Sequence, residues 1–272
     1  MSYPFADVSE RSLAELLSLE GRTAVITGGV QGLGRAIALR LAEAGAQIAI
    51  ADLDPKKATD AAAAVESEHG ARAIGVRMDV TDSETVRTAT DEIVESLGGV
   101  DVWVNNAGVF PSIPVLDMTD EQWDDVFAVN TRGVLNGSRE AARRMTRGGV
   151  IVNVVSTAGF RGTAPGLSAY VGSKHAVRGM TKQMALEFAP NGIRVLGVAP
   201  SYVPTEGNMA MAEAAMAAAG IDAGNMPAAM TRSLIGRVGT PDDIARVVLF
   251  AASDLATIMT GTTLLADAGE TI

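Results

Sequence analysis

The sequence predicts an α/β protein, a single doubly wound parallel sheet with helices on both faces. Three observations lead there. Short β-branched apolar runs alternate with longer alanine-rich runs at helical spacing. The strand candidates are nearly all apolar, as strands covered on both faces are. The first strand candidate enters a glycine-rich turn that opens a helical run.

In chain order, the strand candidates are Thr23–Thr27, Gln47–Ala51, Ala71–Met78, Val100–Asn105, Val150–Val155, Arg194–Ala199 and Thr262–Ala266. Helix candidates fall between them near Leu33–Ala44, Pro55–His69, Ser83–Leu97, Asp120–Met145, Leu167–Phe188 and Pro241–Ala252. Asp54-Pro55 reads as an N-cap followed by proline at the first helical position. Right-handed crossovers are the default for such βαβ units. The whole chain, 1–272, reads as one domain. Residues 1–20 read as a short amphipathic N-terminal cap. Residues 201–235 break the rhythm with Met209, Met211, Met216, Met226 and Met230 among alanines. They read as an ordinary helical excursion or as a lid over an apolar substrate.

Composition removes several classes of function. The 272 residues are 47% hydrophobic and 20% charged, which is globular rather than disordered. There is no cysteine, so disulfides, thiolate nucleophiles and cysteine metal sites are excluded. His69 and His175 are the only histidines, too few for a histidine-rich metal centre, and no metal is expected. A formal charge of −10 argues against nucleic acid and anionic membranes as partners. No run reaches the roughly 18 apolar residues of a membrane span. The first 22 residues lack the basic start of a signal peptide, so the cytoplasm is the expected compartment.

The turn Gly28-Gly29-Val30-Gln31-Gly32-Leu33-Gly34 follows a strand and opens a helix. Helix N-termini offer unpaired N–H groups to phosphate, and glycine lets backbone approach a pyrophosphate. Gly28, Gln31, Gly32, Leu33 and Gly34 are therefore candidate dinucleotide contacts. Asp52 ends the second strand, 18 residues past Gly34. A carboxylate there accepts from ribose hydroxyls and repels a 2′-phosphate. Leu53 follows where an NADP site would carry arginine, so NAD is expected. Lys56 and Lys57 could reach a phosphate and favour the other nucleotide.

Further motifs follow in order: Asp79-Val80, Asn105-Asn106-Ala107-Gly108, Asn130 after Val129, and Tyr170-Val171-Gly172-Ser173-Lys174. With the glycine turn, they make the chain resemble the short-chain dehydrogenase/reductase family from about Gly21 to Gly269. The resemblance implies a Rossmann-type sheet binding a nicotinamide dinucleotide. It implies that Asp79 and Val80 contact adenine and that Asn106, Ala107 and Gly108 close the cofactor pocket. It assigns Tyr170 and Lys174 to catalysis, Lys174 also to the nicotinamide ribose, and Asn130 to a water in a proton relay. Pro200, Val203 and Thr205 fall near the nicotinamide, although Ala199-Pro200-Ser201 departs from the family's Pro-Gly.

Tyr170 and Lys174 are four apart and share a helix face. A neighbouring ammonium would lower a phenol by about 1–3 pH units and make it a usable base. The family's serine stands 13 residues before the tyrosine, which is Thr157 here, with Ser156 adjacent. Strand alternation would turn Ser156 away, so Thr157 is the expected substrate-orienting hydroxyl. His175 reads as a helix-face residue and His69 as solvated.

The leading function is NAD-dependent interconversion of a secondary alcohol and a ketone. Few charges punctuate the lid, namely Glu206, Glu213, Asp222 and Arg232, which suits a small apolar substrate such as an aryl or alicyclic alcohol. The alternative is an NADPH-dependent 3-oxoacyl-carrier-protein reductase. The cluster Arg139, Arg143, Arg144 and Arg147 favours it. A non-catalytic dinucleotide-binding sensor is the remote alternative. The family resemblance implies a homo-oligomer, a tetramer through the helices near 120–145 and 167–188.

Overall fold

The computed structural model describes residues 5–209 and 233–272. Its strands are β1 Thr23–Thr27, β2 Gln47–Asp52, β3 Ala73–Arg77, β4 Val102–Asn105, β5 Gly149–Val154, β6 Ile193–Pro200 and β7 Thr263–Ala266. They form one parallel sheet in the order β3-β2-β1-β4-β5-β6-β7. The helices are α1 Leu13–Leu17, α2 Gly32–Glu43, α3 Pro55–His69, α4 Ser83–Leu97, α5 Asp120–Phe127, α6 Gly133–Arg144, α7 Ser168–Phe188 and α8 Pro241–Ala252.

The apolar strands explain the layering. Ala24, Ile26, Ile48, Ile50, Val102 and Val104 point to one face and pack with Ile37 and Leu41 of α2, Val65 of α3 and Val248 of α8. Val25, Ala49, Trp103 and Ile151 point to the other and pack with Ile93 of α4, Ala141 of α6 and Met184 of α7. With period-two alternation, covering both faces demands apolar residues at every strand position. Five-residue β1 is buried throughout.

Most helix starts are fixed by side chains. Asp54, Asp82, Thr119 and Thr240 accept from first-turn N–H groups of α3, α4, α5 and α8. α2 differs, since Gln31 at its N-cap makes no side-chain capping bond.

Two expectations change. The stretch read as one helix from Asp120 to Met145 is interrupted by a π-helical turn at Ala128–Arg132. The expected amphipathic cap contains α1, which buries none of its residues and leaves Leu13 exposed. Five residues make too little surface to bury. The segment is held instead by fully buried Leu19 and by Arg11 on Asp254 at 2.7 Å. Of the stretch read as a lid, residues 210–232, with Met211, Met216, Met226 and Met230, lie outside the described residues.

Candidate active site

The strand order reverses between β1 and β4, and open α/β sheets hold their ligand crevice at such a switch point, outside the carboxyl ends of the strands. Gly28 takes a positive φ of 63°, and its N–H donates to Ala51 O at 2.8 Å. Gly34 is required by space. A Cβ there would stand 2.2 Å from Gly28 O and 2.6 Å from Asn106 Nδ2. Asn106 bolts the loop after β4 to this turn, its Nδ2 donating to Thr27 O at 3.0 Å and Gly28 O at 2.9 Å. The Thr27 hydroxyl accepts from the N–H groups of Asn106 and Ala107 at 3.0 and 3.1 Å.

The glycine turn therefore presents the start of α2 to the crevice with no side chain capping it. Uncapped first-turn N–H groups beside a close-packed glycine turn are the donor set a pyrophosphate needs. Thr205 lies over this turn, its Cβ 3.3 Å from where a side chain on Gly32 would begin. Gln31 and Leu33 flank Gly32 at the same helix entry, and buried Val203 follows Pro200 out of β6. Ser201 is not in the left-handed region, since Ala268 is the only described non-glycine residue with positive φ.

Asp52 ends β2 with its side chain half-buried and Leu53 beside it exposed. The two lysines that could reach a phosphate have carboxylate neighbours. Lys56 pairs with Asp60 at 2.6 Å and Lys57 lies 3.9 Å from Asp54. The Asp79 carboxylate accepts from Thr81 N–H and Oγ1 at 2.9 and 2.7 Å, shaping the entry to α4. Val80 O accepts from Asn136 Nδ2 at 2.9 Å, tying that loop to α6.

α7 brings Tyr170, Ser173 and Lys174 together. Lys174 is buried, its Nζ donating to Val154 O at 2.8 Å and standing 5.7 Å from the Tyr170 ring centroid. Burial pushes the lysine down to about 8. Asn130 lies in the π-helical turn and is fully buried. Its Oδ1 accepts from Val109 N–H at 2.8 Å, and its Nδ2 donates to Val109 O and Ser173 Oγ at 2.8 and 3.0 Å. Both amide protons are spent on the protein. Asn130 thus braces the loop after β4 against α7, and one Oδ1 lone pair is left for water. A π-turn at such a place frequently marks a functional site.

One expectation is corrected here, and another gains a rival. Ser156 joins the expected Thr157 as the orienting hydroxyl, because the Ser156 side chain acts on the Tyr170 phenol and lowers it. β5 ends at Val154, and the chain turns at Ser156 into a 3₁₀ turn, Thr157–Gly159, so strand alternation no longer governs side-chain direction. Ser156 Oγ also accepts from Ala158 N–H at 3.1 Å, and Thr157 is buried at the head of the turn. The corrected expectation is that Lys174 lowers the phenol. Burial pushes Tyr170 up, and the Ser156 side chain offsets only part of that. The ammonium is committed to Val154 O.

His175 is exposed and bonds Val171 O at 2.9 Å within its own helix. His69, expected to be solvated, has its Nε2 shut from solvent with no hydrogen-bond partner among the described residues. Phe110 was not among the expected site residues. Its ring meets Tyr170 edge-on at 6.0 Å, and with Val109 it leaves an apolar surface exposed beside the phenol. Ser173, which joins Asn130 to Tyr170 O at 2.7 Å, was also missed. Its place three residues after the tyrosine on one helix was the available signal.

Comparison with known proteins agrees with this arrangement. The family model described as enoyl-(acyl carrier protein) reductase matches residues 28–271. The chain is 38% identical over 255 residues to an L-2,3-butanediol dehydrogenase of Corynebacterium glutamicum, covering 91% of this chain and 98% of the other. It is 34% identical over 258 residues to a 3-oxoacyl-[acyl-carrier-protein] reductase of Thermotoga maritima, covering 94% and 100%. The crystal structure of a short-chain type dehydrogenase/reductase from Mycobacterium marinum superposes with a TM-score of 0.85 at 34% identity, covering 96% of this chain and 99% of that one. The chain belongs to the short-chain dehydrogenase/reductase family. As a short-chain dehydrogenase/reductase it is an oxidoreductase that uses a nicotinamide dinucleotide. Among its described residues no helix is long and apolar enough to cross a membrane.

Proposed function

We propose that this short-chain dehydrogenase/reductase interconverts a secondary alcohol and a ketone on a small, mainly apolar substrate, with NAD as cofactor. The observation that carries the reading is buried Lys174, its Nζ 5.7 Å from the Tyr170 ring centroid on α7, with the Ser156 turn beside the phenol. A nicotinamide dinucleotide in the crevice supplies the hydride acceptor or donor. Gly28, Gln31, Gly32, Leu33 and Gly34 would hold its phosphates, Asp52 and Leu53 its adenosine ribose, Asp79 and Val80 its adenine. Asn106, Ala107, Gly108, Pro200, Val203 and Thr205 would line the nicotinamide end.

Ser156 donates to the substrate oxygen and orients it against Tyr170. The raised phenol stays protonated at neutral pH, so Tyr170 carries the proton that a ketone oxygen takes as the hydride arrives. For oxidation Tyr170 must first lose that proton, so oxidation gains as pH rises. Lys174 takes and returns protons behind the phenol, and Asn130 holds the loop and helix in register. Exposed Val109 and Phe110 favour an apolar substituent, consistent with an aryl or alicyclic alcohol.

Asp52 and the lysines' acidic neighbours support NAD over NADP. Similarity to the Thermotoga protein favours the NADPH-dependent carrier-protein reductase as a second reading. Against it, Arg143 pairs with Glu140 at 2.5 Å, Arg144 with Asp91, and Arg147 with Asp101 at 3.5 Å. Those arginines are largely neutralised by the protein itself. The whole chain works as one cytoplasmic domain in this reading. It assembles as a homotetramer, for which exposed Trp123 of α5, Leu135 of α6 and Leu186 of α7 supply apolar surface.

The test offers NAD and NADP with a panel of aryl, alicyclic, steroid and sugar alcohols and follows nicotinamide absorbance, with Tyr170→Phe alongside. Turnover with NAD, lost in the variant, is expected. Turnover only with NADPH and 3-oxoacyl thioesters overturns the reading.

A further inference from the structure

The turn that carries Ser156 is gripped from two sides. On the α7 side, the guanidinium of Arg178 lies 3.9 Å from the Phe160 ring centroid. That face also packs closely, because a Cβ on Gly159 would stand 2.8 Å from Lys174 O. On the opposite side the turn is held from the far end of the sequence. Arg161 Nη2 donates to Glu270 Oε1 at 2.5 Å, in an ion pair whose Glu270 side chain is only 16% exposed.

Glu270 is itself held firmly. Asp267, at the end of β7, accepts from Gly269 N–H, Thr271 N–H and Thr271 Oγ1 at 3.0, 3.0 and 2.6 Å. The same segment accepts Leu234 N–H on Ala268 O at 2.8 Å. A backbone so tied cannot follow a drifting arginine, so the pair acts as an anchor for Arg161. From Arg161 the path to the hydroxyl is short. Arg161 N–H and Phe160 N–H both return to Thr157 O, at 3.3 and 2.9 Å, and Gly159 N–H returns to Ser156 O at 2.9 Å.

We propose that Glu270 is a positioning residue, which through Arg161 fixes the turn that presents the Ser156 hydroxyl to Tyr170 and the substrate. This rests on the oxidoreductase reading above. It adds that the segment after β7 sets the geometry of the reacting hydroxyl without touching the substrate.

The experiment compares wild type with Glu270→Gln, Arg161→Gln, Arg161→Lys and the double Gln variant, by steady-state kinetics and by hydrogen exchange of the 156–161 amides. Glu270→Gln lowers kcat about fivefold and leaves KM for NAD within about twofold, because the phosphate turn is untouched. A factor of five is about 1 kcal/mol of lost orientation. Arg161→Lys keeps most of the rate, and the double variant is no slower than either single Gln variant, as coupled partners require. Exchange of the 156–161 amides speeds up in Glu270→Gln. An unchanged kcat, a loss confined to KM for NAD, or additive single effects overturns the proposal. Should wild type turn over no alcohol with either nucleotide, the oxidoreductase reading fails alone. Exchange at 156–161 then still decides the anchor, faster supporting it and unchanged refuting it.

Discussion

Replacing Lys174 by methionine stabilises the protein near neutral pH while destroying its activity. The lysine is buried, and among the described residues its one hydrogen bond is to Val154 O at 2.8 Å. Burial holds it at about 8 rather than 10.5. That difference corresponds to about 3 kcal/mol against the charged form in the fold. At pH 7 both folded and unfolded chains carry the proton, so the whole penalty is present. Between pH 8 and 10.5 the unfolded chain holds the proton and the folded chain does not, so stability rises with pH. Above 10.5 neither holds it and the penalty is gone. Methionine has a similar length and no charge, but leaves Val154 O without its partner, at a cost of about 1 kcal/mol. The net gain at pH 7 is about 2 kcal/mol, or roughly 4–8 °C in melting temperature. The assay is thermal and urea unfolding of the cofactor-free protein and variant from pH 7 to 10. The gap should be widest at pH 7 and close towards pH 10. A variant less stable at pH 7, or a gap that ignores pH, would show that the ammonium is not strained by burial.

Four other substitutions separate the remaining arguments. Ser156→Ala lowers kcat about 10²-fold, as loss of a donor to the reacting oxygen does, while Thr157→Val stays within about threefold; the reverse order in steady-state rates restores Thr157 as the orienting hydroxyl. Gly34→Ala places a methyl against Gly28 O and costs about 1–3 kcal/mol of stability together with nucleotide binding, read by denaturation and by fluorescence titration with NADH. Ala268, at φ 54°, holds a left-handed conformation that only glycine takes freely, so Ala268→Gly raises stability by about 0.5–1 kcal/mol; a lower melting temperature would refute that strain.

The strands and the capped helices were legible in the sequence because burial on both sheet faces leaves a local trace. Thr23–Thr27 and Pro55–His69 fall where composition and capping put them. The Asn130 turn was hidden, since Ala128–Arg132 contains no proline or glycine to announce a break. The choice of Thr157 over Ser156 carried a rule for strands two residues past the end of β5. The tyrosine stands 14 residues after Ser156, one more than the usual spacing. The direction of the phenol's shift depends on how deeply Tyr170 is packed, which no spacing of residues encodes. The Arg161–Glu270 contact joins positions 109 residues apart and leaves no local signature.

The sheet order carries a consequence for how this protein comes to work. β1 pairs with β4 only after two complete βα excursions have been laid down on its other side. β5, which leads into the Ser156 turn, must then dock on β4 before the phenol of Tyr170 meets its hydroxyl. Non-local parallel pairing of this kind forms slowly. A chain arrested with only its first three strands assembled would hold much of the glycine turn and none of the proton-transfer groups. Recovery of activity during refolding therefore times the closing of the central sheet, and it should lag behind the recovery of helical signal.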